Sequence, residues 1–123
     1  MSYTIQRISE PSAILVTFYK NFDVDVDLKP YQDDFENTMN QQSDVIPVIV
    51  DMLDWSLSFD DMMAGLQQLF GKKHPFVHPN IREVIWVTSS SLLKMSAKSF
   101  VQFGIFKQLT VVNTMVEAKS LAR

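Results

Sequence analysis

The chain has 123 residues, 46% of them hydrophobic, which suits one compact core and is too short for two ordinary domains. A formal net charge of −3, with no dense run of Lys and Arg, argues against nucleic acid as a partner, and the lack of cysteine removes disulfides and thiolate metal sites. The opening MSYTIQRISEP has no basic leader, and no window reaches about 18 uninterrupted apolar residues, so the chain reads as soluble and cytoplasmic, without membrane insertion.

Tyr3 to Ser9 and Ala13 to Tyr19 are predicted strands, joined as a hairpin at Glu10-Pro11-Ser12. Apolar and polar residues alternate in the first, as on an outer strand; Ala13 to Val16 is continuously apolar and belongs further inside. In Asn21 to Asp27 three Asp stand at the odd spacing of a calcium loop, but the sixth position lacks Gly and the twelfth lacks Glu. The segment therefore reads as a solvated strand extension or loop ahead of a helix. Asp27 or Lys29 leads into that helix, with Pro30 near its first turn and Asp33 and Asp34 at its positive end. Leu28, Tyr31, Phe35, Thr38 and Met39 form its apolar stripe, and it ends near Gln42 to Asp44.

Val45 to Phe70 organises the rest. Ile46 to Asp51 is almost unbroken Val and Ile, the pattern of a strand covered on both faces. Ser58 precedes Asp61 by three residues, a relative of the capping box, and Phe59, Met62, Met63, Leu66, Leu69 and Phe70 follow at helical spacing until Gly71. Lys72 to Asn80 reads as an extended loop. His74 and His78 lie there at i, i+4, but Pro75 and Pro79 argue against the helix that would bring them together on a metal, so no metal is expected and the imidazoles are expected to be wet.

Ile81 to Thr88 is the next buried strand, followed by Ser89, Ser90 and Ser91, of which Ser90 or Ser91 caps a helix from Leu92 to Phe103. Lys94 and Lys98 form an outward pair on it, and Gly104 stops it. Phe106 to Val112 gives the last strand. Thr114 and Glu117 have capping-box spacing, and Met115, Ala118, Leu121 and Ala122 make the inner face of a terminal helix. The predicted order is β-β-α-β-α-β-α-β-α, a single-domain mixed α/β sheet in which an antiparallel hairpin opens a parallel set.

This order, together with the helix bearing Tyr31 and Phe35, VIVDMLDWSLSFDDMMAGL, IREVIWVT and TVVNTMVEAKSLA, resembles the SpoIIAA-like or STAS-like family over nearly the whole chain. That is the fold of bacterial anti-sigma-factor antagonists, and the likeness is to the divergent branch grouped with STAS and Sec14-type lipid-binding domains. The resemblance implies a cytoplasmic regulatory module without enzymatic activity or cofactor. In antagonists of this fold a Ser or Thr at the start of the helix after the third strand is phosphorylated by a partner kinase, and Ser58 falls at that position. Leu57 stands where the motif has Asp, and Phe59-Asp60 where it has a second hydroxyl and Gly. The divergent branch generally lacks the switch.

Topology gathers Asp51, Asp54, Trp55, Ser56, Ser58, Thr88, Ser89, Ser90 and Asn113 at the carboxyl end of the sheet, as a ligand or partner surface or as caps and turns. Catalysis fits less well: Ser58 has no nearby His base, the two His lying about 15 to 20 Å away by helix rise. Met52, Met62, Met63, Met95 and Met115, with Phe70, Phe76, Phe100, Phe103 and Phe106, are candidates to line a small apolar or lipid-like ligand's pocket, or simply to fill the core. Phe100, Phe103, Ile105 and Phe106, bunched around Gly104, suggest an exposed patch and a homodimer. Three readings follow, in order: a module that binds another protein or itself, a carrier of a small apolar ligand, and a small enzyme.

Overall fold

A computed structural model of the chain describes residues 2–56, 58–61, 63–64, 78–102 and 108–123. Five strands, β1 (Tyr3–Ser9), β2 (Ser12–Phe18), β3 (Ile46–Asp51), β4 (Ile81–Val87) and β5 (Leu109–Val112), form one sheet in the order of the chain. β1 is antiparallel to β2, and the remaining pairs are parallel. The helices bounded among the described residues are α1 (Val24–Asn40), α2 (Ser91–Gln102) and α3 (Met115–Ala122); residues 59–61 and 63–64 are helical as well. This is the mixed sheet that the sequence predicts.

β3 is buried on both sides, as its Val and Ile content requires. Ile46, Val48 and Val50 join Val84 and Trp86 of β4 beneath Leu28, Tyr31, Phe35 and Met39 of α1 and Leu93, Ala97 and Phe100 of α2. Ile49 points the other way, with Ile85, Val87 and Val112, against Ala118 and Ala122 of α3. Two alanines four residues apart give α3 a flat face that lies close on the sheet. Leu121, expected on that face, is 47% exposed because the Ala118–Ala122 line, not its neighbour, meets the strands.

The hairpin is tighter than expected. Ser9 pairs with Ser12, so Glu10 and Pro11 alone connect the strands, through a cis peptide bond. α1 begins earlier than the sequence suggests, inside the stretch read as a strand extension or loop. Asp23 is its N-cap, accepting from the Asp25 N–H at 2.9 Å, while Asp27 Oδ2 reaches back to the Asp23 N–H at 2.9 Å. The reciprocal pair satisfies amides that would otherwise lack partners, and it makes the alternating Asp residues a helix start. Pro30 therefore sits inside the helix. It removes the bond to the Val26 carbonyl, but Val26 is 67% exposed and water can serve that oxygen. The helix ends at Asn40, where the Gln41 N–H and Gln42 Nε2 both close onto the Thr38 carbonyl.

Phe59 and Met63 depart from the predicted inner stripe. They are 63% and 41% exposed, one helical turn apart on the solvent side, while Ala64 turns against the core. The phase that starts at Ser58 decides this, since Ala64 and Phe59 cannot both face the sheet. Met62, Leu66, Leu69, Phe70 and Gly71 lie outside the described residues, as do Gly104 and the first residues of the predicted last strand, which is described from Leu109. Lys94 is not simply outward: its Nζ donates to Asn113 Oδ1 at 2.7 Å, tying α2 to the end of β5.

Asp23→Ala is expected to cost about 1 kcal/mol by removing the N-cap of α1, read as a lower urea midpoint at unchanged slope.

Candidate functional site

At the carboxyl end of the sheet, Asp51, Ser58, Thr88 and Ser90 are bound to the backbone around them. Asp51 closes β3 and accepts the Leu53 N–H on Oδ1 at 3.1 Å, an Asx turn that starts the exit loop. The Met52 N–H still pairs with the Val87 carbonyl at 2.9 Å, which buries Met52. Trp55 folds back into an aromatic cluster, its ring centroid 5.5 Å from that of Phe18 and 5.4 Å from that of Phe22, and its indole N–H donates to the Phe22 carbonyl at 3.0 Å. Ser58 Oγ accepts the Asp61 N–H at 3.1 Å and caps the helical turn that follows.

The end of β4 follows the same logic. Thr88 is 1% exposed; its N–H donates to the Val112 carbonyl, and its Oγ1 accepts the Ser90 N–H at 3.0 Å. Ser90, rather than Ser91, caps α2 by accepting the Leu93 N–H at 3.2 Å. Thr114 caps α3 on the Glu117 N–H at 3.2 Å, and its hydroxyl donates to Glu117 Oε1. The helix-start amides of Asp61 and Leu93 are thus occupied by side-chain oxygens, and Asp51, Asp54, Asp60 and Asp61 crowd this end with negative charge. Such an environment opposes an anionic ligand.

A second surface lies along the outer flank of α1. Here β1 and α1 enclose an open groove of about 910 Å³, lined in part by Tyr3, Ile5, Asp27, Asp34, Asn37 and Gln41. The Tyr3 hydroxyl donates to Asp34 Oδ2. Desolvation, that hydrogen bond, and the charges of Asp34, Asp27 and Asp33 push the Tyr3 hydroxyl up from 10.0 to about 12. Below its edge, Tyr3 packs edge-on against Phe22 and Tyr31.

The amino end of the sheet is fastened by side chains. Arg82 Nη2 donates to the Ala122 carbonyl at 3.0 Å at the C-terminus of α3 and to Glu83 Oε1 at 3.0 Å. Asn80 Nδ2 donates to the carbonyls of Met39 and Gln42 just past α1, at 3.1 and 3.0 Å. The Asn80 N–H donates to His78 Nδ1 at 3.0 Å, which leaves the ring proton on Nε2 to meet Asn40 Oδ1 at 2.6 Å. His78 is therefore not the wet imidazole expected; it belongs to a clasp between α1 and β4, and His74 lies outside the described residues. Among the described residues no cluster of three or more His, Cys, Asp or Glu stands ready for a metal, and no helix is long and apolar enough to cross a membrane.

No family model matches the chain, and no curated protein matches it. Among solved structures it is similar to an uncharacterized DUF3478-family protein with a SpoIIAA-like fold from Shewanella loihica, at 10% identity, with a TM-score of 0.57, over 98% of this chain and 92% of the other. The fold is SpoIIAA-like. At this identity the likeness carries architecture and nothing about activity.

In the SpoIIAA-like frame, the residues gathered from sequence divide. Asp51, Ser58, Ser90 and Asn113 hold backbone or Lys94, while Asp54, Ser56 and Ser89 face solvent. Trp55 and Thr88 are corrections to the expected surface, since both are buried and bonded inward. Phe100 is a correction to the expected dimer patch: it packs edge-on against Trp86 with centroids 5.7 Å apart, because α2 turns that face to the sheet. Phe103, Ile105 and Phe106 lie outside the described residues. Sequence reasoning missed the groove. Tyr3 and Asp34 are 31 residues apart, and only the outer-strand pattern of β1 hinted at it.

Ser58→Ala is expected to lower stability by about 1 kcal/mol through loss of the cap, measured by chemical denaturation. For Tyr3 the sign follows from the raised pKa. The unfolded chain releases this proton near 10 while the folded chain keeps it to about 12, so stability falls as pH rises through that window. Burial moves the Tyr31 hydroxyl in the same direction. Tyr3→Phe should make the alkaline decline shallower, and phenolate absorbance of the folded protein should lag behind that of the unfolded chain.

Proposed function

We propose that the chain is a non-enzymatic STAS-like module that works by binding protein, its own copies included, as a regulatory or scaffold domain in the cytoplasm. The observation that carries this reading is the apolar surface beside Ser58. Leu53, Phe59 and Met63 are 43%, 63% and 41% exposed at the end of the sheet where Asp51 and Ser58 are taken up by backbone amides. Large exposed apolar side chains with polar neighbours are the ordinary composition of a protein-binding surface. The position of Ser58 in a SpoIIAA-like fold, at the start of the helical turn after the third strand of the chain, agrees with a surface read by another protein.

A carrier of a small apolar ligand is less well supported. Met52 and Phe100 pack in the core beneath α1 and α2, Met95 is 59% exposed, and Met115 borders the opposite core, so these side chains do not converge on one space. A phosphate on Ser58 would gain from the helix start but meet Asp60 and Asp61 beside it, so the cap is the better-supported role for that hydroxyl.

Native mass spectrometry of the protein from its own host is the test. An adduct with a second, different protein is expected, lost in Phe59→Asp while the unfolding midpoint stays put. A retained small molecule without any protein partner would overturn the reading in favour of the carrier.

A further inference from the structure

We infer that the open edge of β1 is a self-pairing edge, at which two copies of the chain join their sheets antiparallel about a two-fold axis midway between their Ile5 residues. The inference names a surface for the self-association proposed above and rests on that part of the reading.

The first support is the direction of the backbone. The Tyr19 N–H donates to the Ser2 carbonyl at 2.9 Å, so Ser2 and Tyr19 are a hydrogen-bonded pair of the antiparallel ladder. Bonded and non-bonded pairs alternate, so Thr4 and Gln6 point their N–H and C=O at β2, while Tyr3, Ile5 and Arg7 point theirs outward. Among the described residues β1 is an edge of the sheet, and these outward groups form a template for another strand.

The second support is that the edge is lightly guarded. Edge strands are usually blunted by Pro, by charged side chains or by a bulge; YTIQRIS has no Pro and no bulge, its register with β2 being continuous from Tyr3 to Ser9, and Arg7 is its one charged residue.

The third is charge, and it selects the occupant. Tyr3, Ile5 and Arg7 share the sheet face that lies under α1. The Tyr3 end of the groove carries Asp27 and Asp34, on a helix flank where Lys29 is already paired with Asp33 at 2.8 Å. Arg7, four residues further on, is held by neutral groups, Gln42 Oε1 at 2.7 Å and Ser12 Oγ at 3.2 Å. One strand thus has an acid-lined end and a cationic end. Antiparallel pairing about Ile5 sets Tyr3 of each copy opposite Arg7 of the other and brings that guanidinium to the groove of Asp34 and Asp27, twice by symmetry. A charge-assisted bond to carboxylate is stronger than the neutral bonds Arg7 makes in the single chain. The outward N–H and C=O groups of Tyr3, Ile5 and Arg7 meet their counterparts in the same register.

Light scattering after size-exclusion chromatography of the full chain, with charge swaps, tests this. The protein is expected to be a dimer. Arg7→Glu and Asp34→Arg should each weaken dimerisation by about tenfold or more, and the two together should restore it. Ile5→Cys provides a second readout in a chain that has no cysteine of its own: facing itself across the axis at about 5.5 Å between Cα atoms, it should oxidise to a covalent dimer, whereas Gln6→Cys should not. A protein that stays monomeric, with or without a foreign basic strand bound at this edge, overturns the inference. So does a dimer unmoved by either swap, which would leave the protein-binding reading standing and place self-association elsewhere.

Discussion

A strand with no wet side governs this molecule. β3 buries Ile46, Pro47, Val48, Ile49 and Val50, so its backbone must be paired on both edges and its side chains covered on both faces. Parallel neighbours on each side meet the first need, and parallel neighbours demand crossover helices. α1 and α2 cover one face and α3 the other. Asp51, the last residue of β3, is where the strand first returns to water, so the chain turns there and the loops collect at that end.

That arrangement separates two kinds of surface. At the carboxyl ends of the strands, Asp51, Ser58, Thr88 and Ser90 satisfy backbone amides, and the apolar side chains of Leu53, Phe59 and Met63 face solvent there among Asp54, Ser56 and Asp60. Along the outside of α1 the balance reverses. There, acid side chains line a groove beside an edge strand, and a tyrosine hydroxyl sits in their field. The first surface suits a partner that offers apolar contact, the second a strand that brings a cation. They lie on separate parts of the fold, so one can be occupied without closing the other.

Most of the architecture was legible in the sequence because it depends on runs of like residues. Continuous Val and Ile marked β3 and β4 as buried, alternation marked β1 as outer, and the Thr114–Glu117 spacing marked the start of α3. The start of α1 was not legible, because Asp alternating with Phe and Val has the period of a strand, and only the Asp23–Asp27 exchange turns it into a helix. The phase of the helical turn after Ser58 escaped for a similar reason: Phe59 and Met63 are apolar, but which side of the helix meets the sheet is decided by packing. The site was the least legible. Trp55 looked like a surface aromatic until its N–H found the Phe22 carbonyl, 33 residues away, and the Tyr3–Asp34 contact has no local signature at all.

The strands stand in the sheet in the order in which they occur in the chain. No strand has to insert between two that already lie side by side, so each one, as it leaves the ribosome, finds the previous strand waiting as an edge. Each parallel step still has to close a whole crossover, from Phe18 to Ile46, from Asp51 to Ile81 and from Val87 to Leu109, before its strand contacts reward it. Throughout that growth the advancing edge is covered by the next arrival, while the opposite edge, β1, is bare from the first hairpin onward. Among the described residues that edge is the one part of the sheet whose exposure does not change as the later strands are added.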